Sequence, residues 1–333
     1  MSNAALMSDP LHPSAPAAPF SPQVQALLGR VQRANHLPLH ALGVGAARLA
    51  YAAGVGAMAQ PPEPVRRTET LQLPLSGGAR GARLWSDAAP GAGLQPVMLY
   101  LHGGGFVVGG LSTCQAFCQT VARLSGAAVL ALDYRLCPDH PQGSAFEDAW
   151  DALKWLHRHG DSLGLDPSRL AVGGDSAGGT LAATTALRAR DAGLPLALQA
   201  LFYPMVQSRM VTPSYEAYGR NTLLDAQVLA WFEQHCRQPQ LGQPWYREPL
   251  FAPHHADLAP AWIGLAECDM LTSEGHSYAE RLRQAQVPVT VREWPGMIHD
   301  FINMGRFLSD AHGAAAALAE ALGQALGTRP ATS

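Results

Sequence analysis

The sequence holds a single lysine, Lys154, and its other basic residues are arginines scattered along the chain. With 23 basic residues against 26 acidic ones and a net charge of −3, it offers no basic stripe for a nucleic-acid backbone, so nucleic acid is not an expected partner. Cysteine is scarce too: Cys114, Cys118, Cys137, Cys236 and Cys268 are odd in number and widely spaced. That pattern indicates no disulfide framework, and a reducing cytoplasm is the expected compartment. Cys114 and Cys118 lie four apart, but no second pair follows at zinc spacing, so no metal site is expected and packing is their reading. No Lys or Arg precedes Arg30, which leaves out the basic start of a secretory leader. The Ser/Pro/Ala-rich stretch to Pro22 reads as a flexible arm. Long apolar runs are missing as well. Residues 41–59 come nearest, yet Ala and Gly add little to insertion, and Arg48 in mid-segment costs roughly 2.5–3.5 kcal/mol. No stable membrane insertion is expected.

What the chain does have is 333 residues that are 47% hydrophobic, enough to bury a large core as one α/β domain, and no internal repeat. Two glycine-rich strings stand out. Gly174-Asp175-Ser176-Ala177-Gly178 is a G-x-S-x-G, with Arg169 to Val172 reading as a buried strand before it and Thr180 to Arg190 as a helix after it. A serine on so sharp a strand-to-helix turn stands out at the end of a sheet, and the flanking glycines avoid clashes in the bend. Ser176 is therefore the candidate nucleophile. About 70 residues upstream, His102-Gly103-Gly104-Gly105-Phe106 follows the apolar run Val97 to Leu101. Successive glycines there leave backbone N–H groups free to converge on one oxygen, as stabilisation of a tetrahedral oxyanion requires.

A serine hydroxyl is a poor nucleophile at neutral pH and needs a histidine base oriented by a carboxylate. With this kind of elbow the chain order is serine, acid, histidine. Ala261 to Glu267 reads as a strand with Asp269 just beyond it, and Val287 to Trp294 as the next, followed by His299. His140, His157, His159, His254, His255 and His276 lack that context and read as surface or capping histidines. Cys268, with no elbow of its own, reads as packing.

Together with Asp133 to Pro141 (DYRLCPDHP), Phe146 to Ala149, Tyr203-Pro204-Met205, Tyr278 to Leu282 and Gly296 to His299, these motifs resemble the hormone-sensitive-lipase-like family of α/β-hydrolase esterases, in the branch whose serine motif reads GDSAG. The likeness runs from about Val24 to about Leu326. It implies the α/β-hydrolase fold, a mostly parallel sheet flanked by helices with a helical cap. It implies Ser176, Asp269 and His299 as the triad. The oxyanion hole would be the N–H of Ala177 with the loop Gly103, Gly104 and Gly105, where Gly104 and Gly105 are the favoured donors and Gly103 shapes the turn. Phe106, Asp175, Tyr203 and Met205, beside these motifs, are the candidates to contact substrate, with structural hydrogen bonding the alternative for Asp175. Asp133, Arg135 and Glu147 are expected to form a buried polar support near the oxyanion loop.

Four positions depart from the family pattern: Met270, Asp300, Thr180 and Cys137. Asp300 has two readings. It faces solvent, or it is a second carboxylate that favours protonated His299 and moves the acid limb of the pH profile upward.

The expected organisation is an arm at 1–22, a first cap segment at 23–62, core at 63–203, a second cap segment at 204–249, core at 250–327 and a tail at 328–333. The second cap segment is rich in methionine and aromatics, which suits an acyl or alkyl group. The expected function is hydrolysis of short- to medium-chain acyl esters through an acyl-enzyme, with a small-molecule ester as substrate and no cofactor. An amidase or deacetylase with the same triad and a non-catalytic ligand-binding protein are the alternatives. The family likeness also implies a homodimer.

Overall fold

In the computed structural model, residues 19–89, 91–208, 210–236 and 243–328 are described, and eight strands form one sheet in the order β1-β2-β4-β3-β5-β6-β7-β8. The strands are β1 Arg67–Leu75, β2 Gly78–Ser86, β3 Gln95–Leu101, β4 Ala128–Leu132, β5 Leu165–Asp175, β6 Leu198–Phe202, β7 Ala261–Ala266 and β8 Val289–Trp294. β1 pairs antiparallel with β2, and β2 with β4, while β4, β3, β5, β6, β7 and β8 run parallel. Parallel strands need crossovers, and the helices supplying them cover both faces of the sheet.

β3 shows how sequence selects the layers. Its residues 96–101 are buried on both faces, and alternate side chains part company. Val97, Leu99 and Leu101 join the core under α4 (Gly143–His159), α5 (Ala177–Asp191) and α8 (Thr272–Gln284). Met98 and Tyr100 join the core under α1 (Pro22–Ala34), α3 (Leu111–Ser125) and α9 (Asp310–Ala325). Every parallel strand ends at one edge of the sheet, so the turns after β3, β5, β7 and β8 converge there, which is where ligands bind in open α/β sheets.

In the expected first cap segment a 3₁₀ turn at Leu39–Ala41 is followed by extended Gly43, which starts α2 at Val44–Met58. One boundary differs from the sequence reading. Residues 19–22, expected in the arm, are held, because Ser21 caps α1 through its Oγ and donates its N–H to Gly296 O at 3.0 Å. The rest of the arm, residues 1–18, and residues 329–333 of the tail lie outside the described residues. Between β6 and β7 come α6 (Pro213–Tyr218) and α7 (Ala226–His235), with α7 against the 39–41 turn. Among the described residues no helix is long and apolar enough to cross a membrane.

Candidate active site

Ser176 sits between β5 and α5 with φ 54° and ψ −121°, a conformation that costs a non-glycine residue on the order of 1–3 kcal/mol. The surroundings over-determine it. Its N–H donates to Phe202 O at 2.9 Å, and a side chain on Gly178 would fall on the Leu101 carbonyl oxygen, so only glycine lets α5 start so close to β3. The half-buried Ser176 Oγ lies 2.9 Å from His299 Nε2, and His299 Nδ1 lies 2.6 Å from Asp269 Oδ2. The other Asp269 oxygen accepts the Leu271 N–H at 3.0 Å, which fixes the carboxylate plane. The turns after β5, β7 and β8 thus bring the three expected side chains into one hydrogen-bonded row.

Burial pulls the pKa of His299 down, but the charge of Asp269 and its hydrogen bond, with the charges of Asp300 and Asp175, raise it above 6.5 on balance. The Tyr203 ring packs 4.5 Å from the imidazole, centroid to centroid.

The glycine loop faces this row from the end of β3. Gly103 N–H is committed to Asp175 Oδ1 at 3.0 Å, whereas among the described residues Gly104 and Gly105 N–H donate to no protein group. The Ala177 N–H, first in α5, has no intrahelical acceptor and lies at the positive end of the helix dipole. Tyr134 OH holds the loop's base by donating to His102 O at 2.6 Å, and its ring stacks on His102 at 4.3 Å.

Residues 98–303 match the family described as alpha/beta hydrolase fold. The chain is 36% identical over 296 residues to an ethyl acetate hydrolase of Pseudomonas putida, covering 87% of this chain and 93% of that one. It is 39% identical over 247 residues to the esterase LipI of Mycobacterium tuberculosis, covering 73% and 77%. An ester hydrolase from the Lake Arreo metagenome, solved with a bipyridine phosphonate derivative, superposes with a TM-score of 0.88 at 32% identity, covering 92% of this chain and 99% of that one. The chain belongs to the hormone-sensitive-lipase-like family of α/β-hydrolase esterases. It is a carboxylic ester hydrolase.

Within this esterase the four candidate substrate contacts fall in different surroundings. Asp175 is 3% exposed, and its Oδ1 accepts from Tyr100 OH at 2.7 Å and from Gly103 N–H, so it supports the loop from behind. Burial, then the charge of Asp300, push its pKa up to about 7. Phe106 is core, packed on Phe146 at 5.7 Å, and Tyr203 lies fully buried beside the histidine. Met205 alone borders a depression open to solvent, lined by Met210, Tyr215 and Leu229 but also by Glu233 and Glu274, and by neither Ser176 nor His299. Another cleft, between residues 59–63, α3 and α9, includes none of the expected site residues.

The expected Asp133–Arg135–Glu147 support does not form. Arg135 instead grips Asp148 with two side-chain bonds, at 2.9 and 2.7 Å, plus its own N–H at 3.0 Å, while Glu147 pairs with Arg188 at 2.9 Å. The phase of α4 turns Asp148 inward and leaves Glu147 on the flank. His255 is buried, its Nε2 2.8 Å from Pro249 O, rather than at the surface. Burial raises the Cys268 thiol to about 11, which leaves it a poor nucleophile.

Asp300 does not face solvent. Half-buried beside His299, it accepts from Tyr51 OH at 3.1 Å and from Asn303 Nδ2 at 2.6 Å. Nothing local in the sequence marks Tyr51, Arg48, Tyr100 or Tyr134 for the site, because each bonds a partner far along the chain.

Proposed function

We propose that the esterase hydrolyses short-chain acyl esters through an acyl-enzyme on Ser176, with His299 as base, Asp269 as its orienting carboxylate, and Ala177, Gly104 and Gly105 N–H as oxyanion donors. The observation that carries the reading is the row Asp269–His299–Ser176, at 2.6 and 2.9 Å, facing a loop with unengaged N–H groups.

His299 Nε2 takes the Ser176 proton as Oγ attacks the ester carbonyl, and the carbonyl oxygen, now negative, receives the three N–H groups. Asp269 keeps the remaining imidazole proton on Nδ1 and stabilises the imidazolium. When the intermediate collapses, the C–O bond to the alcohol breaks and His299 protonates the leaving oxygen. A water molecule then gives its proton to His299 and attacks the acyl carbon, and collapse returns the proton to Ser176 Oγ and frees the acid. Gly103 shapes this loop while its N–H stays on Asp175.

The short-chain part is supported by the Pseudomonas putida relative named for ethyl acetate hydrolysis. Helix α7 acts as part of a cap, since it lays Phe232 on Gly105. Initial rates on p-nitrophenyl esters from acetate to palmitate should peak at acetate or butyrate. A peak at palmitate, or faster turnover of matched anilides, contradicts the assignment.

Gly105 has φ +59°, and a Cβ there would land on the Phe232 ring. Gly105→Ala should therefore displace an oxyanion donor and lower kcat by about 100-fold or more, read by steady-state kinetics, with a lowered melting temperature because a side chain there is strained.

The pH profile carries the Asp300 charge. His299 must be neutral to act as base, so its raised pKa places the acid limb of kcat/KM above the ordinary histidine value. Asp300→Asn removes a negative charge facing the imidazole, which lowers that pKa, and the limb should move to lower pH. Asn303 Oδ1 has no partner, so an amide flip there lets Asn at 300 keep both hydrogen bonds. An unmoved limb in a pH–rate titration contradicts the electrostatic role.

A further inference from the structure

Helix α2 buries little of itself: only Ala47 and Val55 of its 15 residues are fully buried, and Gly54 in its interior costs about 1 kcal/mol relative to alanine. Two of its polar side chains, three residues apart and therefore on a shared face, reach the loops of the candidate site.

Arg48 reaches the oxyanion side. Its Nε donates to Val107 O and its Nη2 to Cys137 O, each at 2.9 Å, and its Nη1 pairs with Asp139 Oδ2 at 2.6 Å. Val107 and Val108 N–H both donate to Gly104 O, at 3.0 and 2.9 Å, so the carbonyl that Arg48 holds belongs to the turn shaping the loop. Tyr51 reaches the histidine side through Asp300 Oδ2, in the residue after His299, which sits at φ +67° and is tied by Asn303. One face of one helix thus spans from the oxyanion loop to the histidine loop.

We propose that α2 is a two-ended strap, with Arg48, Tyr51 and Asp300 as positioning residues that hold the two loops in register across Ser176. The inference rests on the proposed triad and oxyanion loop. Its physical basis is that displacing a reacting group by about 1 Å costs on the order of 10²-fold in rate. A strap works only with both ends attached, so releasing either end gives nearly the whole loss.

The test is a double-mutant cycle on a p-nitrophenyl ester with Tyr51→Phe, Arg48→Met and the double variant, alongside Ser176→Ala. Tyr51→Phe keeps the ring and deletes one hydroxyl. Each single variant should lower kcat by about tenfold with KM within about twofold, and the double by about tenfold rather than the ~100-fold of independent sites. Should Arg48→Met fail to fold, Arg48→Gln, which retains one donor, replaces it in the cycle. Tyr51→Phe with wild-type kcat, a rise in KM instead, or losses that multiply overturn the strap. Ser176→Ala separates the two readings: retained activity in that variant overturns the triad itself, whereas an inactive Ser176→Ala with multiplying losses overturns the strap alone.

Discussion

Ser176→Ala is expected to lower kcat on p-nitrophenyl acetate by about 10⁶-fold, the scale seen when an activated serine nucleophile is removed. The substitution deletes one oxygen from a half-buried position, and the Ser176 N–H bond to Phe202 O belongs to the backbone, so the elbow has no contact other than the 2.9 Å bond to His299 Nε2 to lose. Thermal unfolding should match wild type or rise slightly, as expected where local strain serves function. Turnover within about tenfold of wild type would remove Ser176 from the chemistry, since the oxyanion donors alone supply only a residual 10³–10⁴ over water.

The second large effect is at Asp269. Asp269→Asn preserves shape but offers His299 Nδ1 an amide that can donate, which favours the tautomer with its proton on Nε2, facing Ser176, where it cannot act as base. A loss of about 10⁴-fold in kcat near neutral pH is expected. Losing the Asp269 charge also lowers the His299 pKa, because that charge leads the effects raising it against burial. Kinetics across pH distinguish this from misfolding. A pH-independent loss of less than about tenfold would contradict the orienting role.

How far these sites are legible in the sequence follows from chain distance. The elbow and the HGGGF loop are local: both put glycines where backbone must pass close to backbone, and strand and helix flank Ser176 within a few residues. The positions of Asp269 and His299 follow from order along parallel strands that end at one edge. What sequence does not reveal is which way a side chain turns. Asp175 lies inside the serine motif yet points back to Gly103 and Tyr100, and Phe106 ends a loop motif yet packs in the core. A phase difference of one residue in α4 gives Asp148, not Glu147, to Arg135. The bond from Tyr51 to Asp300 spans 249 residues, and nothing local at either end points to the other. The pairing of α2 with the loop after β8 is set by packing that only the folded chain brings about.

Covalent labelling isolates the attack of Ser176, because a phosphonate ester with a p-nitrophenolate leaving group mimics the tetrahedral intermediate and stops at the first step. The expected result is one equivalent of released p-nitrophenolate, complete loss of esterase activity, and a phosphonyl group mapped by mass spectrometry to Ser176, with no adduct on Ser176→Ala. Labelling of another residue in parallel with inactivation, or full activity in enzyme labelled at Ser176, would contradict it.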